Sequence, residues 1–135
     1  MTETAANLIV APIELFEDFL AQLHDPALPG AVLSPVRYAE LVNIDVQTLA
    51  DQAHVHRNTI SCAPGSRGIQ QYLRQMLRVI KAATDLGSSP TKALFWYRNE
   101  PLRTFGYKTG EQLVVEGRTE DLLHYVTSLE SGASG

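Results

Sequence analysis

Signals for the start of an α-helix recur at short intervals along this chain of 135 residues, and they constrain its fold more than any other feature. Ser34 and Ser89 each place a capping hydroxyl directly before a proline, and proline suits the first turn of a helix. Thr109 and Gln112 have the spacing of a capping box, in which each residue satisfies the other's backbone amide. Alternation of β-branched and polar residues is rare, so strands are not indicated. The sequence therefore predicts an all-α fold.

The helix boundaries follow from caps, prolines and glycines. The predicted helices run from Pro12 towards Asp25, Pro35 to Val42, Val46 to Ala53, Arg57 to Cys62, Gly68 to Leu86, Pro90 to Asn99, Thr109 to Gly117, and from Thr119, as N-cap, to about Leu129. The first helix is expected to bury one apolar stripe, formed by Ile13, Phe16, Phe19, Leu20 and Leu23. We divide the chain into an N-terminal helix and linker (1–30), a helix-turn-helix region (31–87) and a small C-terminal helical domain with a mobile tail (88–135).

Residues 47–61 have the pattern of a helix-turn-helix. The small Ala53 lets two helices cross closely, Val55 fills the turn, and Ile60 anchors the second helix. His54 stands where this turn usually has a glycine in the left-handed conformation, which histidine tolerates at some cost. Arginine can bond guanine, asparagine can bond adenine, and serine or threonine can contact bases or phosphates. The residues predicted to face DNA from the second helix are Arg57, Asn58, Thr59 and Ser61.

Positive charge is concentrated in the middle of an otherwise acidic protein of net charge -4. No Asp or Glu occurs between Gln52 and Thr84, whereas five of the basic residues do. Such a local cationic surface attracts the phosphate backbone of a duplex. The predicted phosphate contacts are Arg67, Arg74, Arg78 and Lys81, although a basic helix face can also be an ordinary solvated surface.

The chain offers no residue set for catalysis, a cofactor or a metal ion. Its single cysteine, Cys62, excludes an internal disulfide and fits a reducing compartment. His54 and His56 lack a second pair of ligands at zinc spacing. Glycine-rich phosphate loops and nucleophile elbows are absent, as are secretion signals and membrane-spanning apolar runs. We therefore expect a cytoplasmic protein that is not an enzyme and does not bind membranes.

The C-terminal third has a distinctive order of features within residues 93–129. A tryptophan is followed by an asparagine and a leucine, then by a Thr-capped short helix ending in glycine, and by a closing amphipathic helix. The segments that carry this order are Ala93 to Leu102, Phe105 to Val114, Glu116 to Arg118 and Glu120 to Val126. This order resembles the toxin-binding domain of the Xre/MbcA/ParS antitoxins, and the helix-turn-helix lies where that family carries its Xre-like DNA-binding part.

The resemblance implies the antitoxin half of a type II toxin–antitoxin pair. Members of that family are all-helical homodimers that bind a RES-domain toxin, an enzyme that consumes NAD or transfers ADP-ribose from it. They shield the toxin's active cleft and repress their own operon by binding operator DNA. Carried onto this sequence, the shielding, toxin-binding residues are Leu129, Glu130, Ser131, Gly132, Ala133, Ser134 and Gly135.

Two other functions stay open from the sequence. One is a protein-interaction module whose helix-turn-helix is vestigial, and the other is a solitary DNA-binding regulator without a toxin. We expect Trp96, Tyr97 and Phe105 to lie in the core or at a dimer seam. Surface ion pairs are expected between Arg98 and Glu100, and between Arg118 and Glu120.

Overall fold

A computed structural model describes residues 13–130, and within that range the all-α prediction is confirmed. Two isolated antiparallel pairings, His24 with Leu33 and Leu102 with Lys108, are the extended backbone contacts found there. The helices are α1 (Phe16–Gln22), α2 (Pro35–Val42), α3 (Val46–Ala53), α4 (Arg57–Cys62), α5 (Arg67–Asp85), α6 (Pro90–Asn99), a 3₁₀ turn (Arg103–Phe105), α7 (Gly110–Val115) and α8 (Thr119–Glu130).

The first helix begins later than the sequence predicted. Pro12 lies outside the described residues, and α1 begins only at Phe16. The amide of Ile13 donates instead to the Thr91 hydroxyl, 2.7 Å away, which fixes this segment against α6. Phe19 is buried as expected, but Leu20 is 39% exposed and does not belong to the buried stripe.

Local capping chemistry sets the start of four later helices, as predicted for those that follow Ser34, Ser89 and Thr109. The side-chain oxygens of Ser34, Asp45, Ser89 and Thr109 each accept a bond from the backbone amide three residues on. Gln112 completes the capping box by accepting from the Thr109 amide at 2.8 Å. These bonds satisfy amides that the first turn of a helix would otherwise leave unpaired.

Several predicted helix boundaries are corrected by one or two residues, and α5 and α7 end at Asp85 and Val115 rather than at Leu86 and Gly117. α5 begins at Arg67 rather than Gly68, and Thr119 is the first residue of α8 rather than its N-cap. Thr119 is buried, so its side chain packs inside the protein.

The 19-residue helix α5 forms the centre of the molecule. Its inward face is buried along its whole length, at Ile69, Leu73, Met76, Ile80 and Ala83. One cluster of buried side chains joins this face to residues before and after Gly87, including Leu49 of α3 and Leu113 of α7. The division at residue 87 stays a prediction, and the helices on its two sides share this core.

Three tyrosines from α2, α5 and α6 meet in that shared core. Tyr38 and Tyr97 are fully buried, and Tyr72 is 6% exposed. The Tyr72 hydroxyl lies 3.2 Å from the Tyr97 hydroxyl and donates to the Gln52 side chain. Burial raises the pKa of Tyr72 to about 12, so its phenol stays neutral at physiological pH. Tyr97 is thus a core residue, while Trp96 and Phe105 are half-buried against the same core.

A half-buried ion pair fastens α6 to α7 and to the end of α2. Arg98 Nε donates to Glu111 Oε2 at 2.9 Å, and its Nη1 donates to the Val42 carbonyl oxygen at 3.0 Å. The predicted pairing of Arg98 with Glu100 is therefore wrong. Glu111 lies 13 positions along the chain, and α7 brings it under α6.

Candidate nucleic-acid interface

The turn between α3 and α4 forms without glycine. His54 adopts the left-handed conformation, with φ 58° and ψ 42°, as the helix-turn-helix pattern required. Its Nε2 lies 2.7 Å from the carbonyl oxygen of Val115, so Nε2 donates because a carbonyl can only accept. The turn is thereby tied to the end of α7.

Close packing behind the turn holds α5 against it. A Cβ atom at Gly68 would lie 2.9 Å from a Val55 methyl carbon, a distance that real Cβ atoms essentially never show. Gly68 therefore allows the first turn of α5 to pass directly beneath the residue that fills the helix-turn-helix turn.

Helix α4 presents most of its predicted contact residues to solvent. Ile60 is 1% exposed and anchors the helix, and the His56 ring accepts from the Asn58 amide at 3.1 Å as its cap. The exposed predicted contact residues are Arg57, Asn58 and Ser61. Thr59 differs, since it is half-buried beside Ile60, and it offers less of its side chain to a groove.

Arg57 and Arg67 occupy helix ends that disfavour positive charge. Each is the first residue of its helix, where the helix dipole is positive, and neither first turn contains an acidic residue. The pKa of Asp45 is lowered mainly by the hydrogen bond from the Thr48 amide, and the nearby charge of Arg57 lowers it further. Neither arginine forms an ion pair within residues 13–130. Their placement stabilises the isolated protein little and leaves both charges available to an anion.

Arg67 and Arg74 line one groove of about 320 Å³ along α5. They are two helical turns apart and lie on the same side of the helix. Three glutamines share the groove, of which Gln70 is buried and bonded to the backbone of Leu33. Gln71 is exposed and Gln75 is half-buried in the groove, where side-chain amide groups can donate to phosphate oxygens.

Arg78 and Lys81 are placed differently, because each has a carboxylate partner. Arg78 Nη1 lies 2.8 Å from Glu120 Oε2, and Lys81 Nζ lies 2.9 Å from Asp85 Oδ1. The Arg78 bond lowers the pKa of Glu120, so this carboxylate is charged at neutral pH. The predicted pairing of Glu120 with Arg118 is wrong, since Arg118 bonds Asp121 at 3.1 Å. The charge of the basic window is therefore partly neutralised at its C-terminal end.

Sequence reasoning omitted the glutamines of the groove. Gln71 and Gln75 follow Arg67 at intervals of four and eight residues, so helical periodicity could have placed them on the arginine face. The charge pattern gives no signal for these two residues, because glutamine is uncharged.

The predicted toxin-binding segment is only partly described. Leu129 is half-buried and Glu130 is exposed at the end of α8. Ser131 to Gly135 lie outside the described residues.

Within residues 13–130, no group of three His, Cys, Asp or Glu side chains is arranged to hold a metal ion. Cys62 is an exposed free thiol. Over the same range, every helix is too short or too polar to traverse a bilayer. Comparisons of the chain with models of protein families, with curated proteins and with solved structures gave no significant match.

Proposed function

We propose that this chain is a DNA-binding antitoxin that represses its own operon and blocks a RES-domain toxin that consumes NAD or transfers ADP-ribose. The observation that carries the DNA-binding half is the arrangement of α4. Its buried anchor, Ile60, faces the core while Arg57, Asn58 and Ser61 are exposed on a helix that follows a left-handed turn. A recognition helix contacts base edges with residues near its N-terminus, where Arg57 and Asn58 lie.

The charged groups divide into two roles in this proposal. Arg57 and Asn58 contact bases, because their side chains match the hydrogen-bonding edges of guanine and adenine. Arg67 and Arg74 contact phosphates from the groove along α5, which positions the protein without specifying sequence. As a homodimer, the protein would bring two α4 helices to half-sites about one helical turn apart on a partly palindromic operator.

The toxin-binding half of the proposal is supported by the sequence resemblance over residues 93–129. The features that carry it form helices α6, α7 and α8 in the expected order, with the capping box of Thr109 at the start of α7. Residues 129–135 would shield the toxin's active cleft. Co-purification with the product of the adjacent gene tests this half.

A protein-interaction module with a vestigial helix-turn-helix is the second candidate. It is favoured by the neutralised charges of Arg78 and Lys81. Two exposed aromatic side chains also favour it, Phe95 at 69% and Tyr107 at 64%, both in the C-terminal third. A solitary regulator would bind DNA and no toxin. Duplex binding separates the two DNA-binding candidates, the antitoxin and the solitary regulator, from the interaction module. A neighbouring toxin gene then separates the antitoxin from the solitary regulator.

The substitution Arg57→Ala tests base recognition. We expect it to reduce the preference for a duplex from upstream of the gene, relative to a shuffled duplex, by about 1–3 kcal/mol. Arg103→Ala is the matched control, because Arg103 is exposed and lies on the 3₁₀ turn far along the chain from α4. Competition titrations with both duplexes provide the measurement. Equal affinity of the unaltered protein for both duplexes would remove the repressor function from the proposal.

A further inference from the structure

A tight turn after the 3₁₀ turn holds a bulky residue in an unusual backbone conformation. Gly106 and Tyr107 have φ values of 66° and 67°, and the Lys108 amide donates to the Phe105 carbonyl oxygen at 3.3 Å. Two consecutive left-handed residues closed by such a bond are the pattern of a type I′ turn. Glycine, asparagine and aspartate dominate these positions, because a larger side chain crowds the backbone there. Tyr107 is therefore strained at this place.

Burial does not explain why a tyrosine stands there. The Tyr107 side chain is 64% exposed, second only to Phe95 among the exposed large hydrophobic residues of the described chain. Within residues 13–130 its ring forms no aromatic pair and no cation–π contact. Both the backbone strain and the exposed apolar surface act against the stability of the free protein. The ring therefore has its apolar surface free for contact with another molecule.

Backbone bonds and ring contacts hold the turn in a fixed position beside α8. The Tyr107 amide donates to the carbonyl of the buried Leu102 at 2.8 Å. One residue before the turn's tip, the Phe105 ring packs edge-on against Tyr125 of α8, with 5.7 Å between ring centroids. The Arg118 guanidinium lies 5.3 Å from the centre of the same Phe105 ring. These contacts fix the direction of the turn relative to the helix that leads into residues 129–135.

We propose that Tyr107 is an anchor residue for the toxin, seated in an apolar pocket on the toxin surface. This inference rests on the proposed function. It adds a second toxin contact, on the turn packed beside α8, to the one predicted for residues 129–135. Tyrosine is enriched among residues that dominate protein interfaces, because a rigid ring buries much area and its hydroxyl can still be hydrogen-bonded.

The charge beside the turn indicates what the rim of that pocket carries. Arg103 and Lys108 flank the turn, and no acidic residue occurs between Glu100 and Glu111. Lys108 is paired with Glu116, whereas Arg103 forms no ion pair within the described residues. A pocket rimmed by acidic side chains would complement this surface. The proposed occupant is thus a polypeptide whose apolar pocket has an acidic side chain on its rim, opposite Arg103.

The substitution Tyr107→Gly separates binding from folding. We expect it to leave the Tm unchanged or to raise it, because glycine adopts the left-handed conformation without strain. The affinity for the adjacent gene product, prepared as a catalytically inactive variant, is expected to fall by about 30-fold or more. Tyr107→Phe keeps the ring and the strain, so it should retain toxin affinity within about threefold. Isothermal titration and thermal unfolding of the full chain give the two readouts.

The following results would overturn the inference, and the last of them would also remove its premise. Unchanged toxin affinity in Tyr107→Gly shows that the ring does not contact the toxin. A Tm lowered by more than about 3 °C shows that the ring stabilises the fold instead. Unchanged toxin affinity with weaker duplex binding or weaker self-association assigns the ring to nucleic acid or to a second copy. No binding of the adjacent gene product by the unaltered protein removes the toxin-binding half of the proposed function as well.

Discussion

Replacing Arg67 and Arg74 together by alanine is expected to lower the affinity for the upstream duplex about 100-fold. Both guanidinium groups line one groove and have no carboxylate partner within residues 13–130, so each is available to a phosphate. In the proposed homodimer the substitutions remove two phosphate contacts from each protomer, so the slope of log affinity against log salt concentration should fall by about 4. Titrations at several salt concentrations measure both effects, and shuffled duplexes should weaken equally.

The double substitution of Arg78 and Lys81 by alanine is the matched control. It removes the same number of positive charges from the same helix, but both residues already form ion pairs, with Glu120 and Asp85. We expect the duplex affinity of this variant to change by less than about fivefold, because paired charges release few counterions. Equal losses in the two double variants would show that DNA responds to the total charge of the basic window. The groove would then have no special role.

The second large effect concerns stability, and the substitution is Arg98→Ala. We expect it to lower the free energy of unfolding by about 3 kcal/mol, because it leaves a half-buried carboxylate without its partner. The Glu111 side chain is only 14% exposed, and the Val42 carbonyl loses its donor at the same time. Denaturant unfolding of the full chain measures the change.

Two comparisons show whether that loss comes from the unpaired carboxylate. Lys108→Ala breaks the exposed pair with Glu116 and should cost less than about 1 kcal/mol. The double variant with Arg98→Met and Glu111→Leu removes both charges and should be more stable than Arg98→Ala alone. If the double variant is as unstable as Arg98→Ala, the loss comes from packing or from the Val42 bond.

Helix boundaries could be predicted because they depend on neighbours in sequence. The caps at Ser34, Asp45 and Ser89 each act over three residues, and the left-handed turn at His54 needs only its own backbone. The start of α1 was missed, since no side-chain cap marks it and Ile13 instead bonds Thr91, 78 positions away along the chain. Local chemistry was readable from the sequence, and long-range chemistry was not.

The candidate site shows the same division. The exposed face of α4 followed from helical periodicity around the anchor Ile60. The neutralisation of Arg78 by Glu120 did not, because 42 positions separate the two residues and only the packing of α8 on α5 brings them together. The exposure of Tyr107 was also unpredictable, since an aromatic residue near a turn usually packs into a core.

The most direct test of DNA binding by this surface is an NMR titration of the isotopically labelled full chain with the upstream duplex. The prediction is that the largest amide shift changes fall in α4 and in the first half of α5, from Arg67 to Gln75. Changes confined to residues 90–110, or no saturable change at low salt, would contradict DNA binding by α4 and the arginine groove.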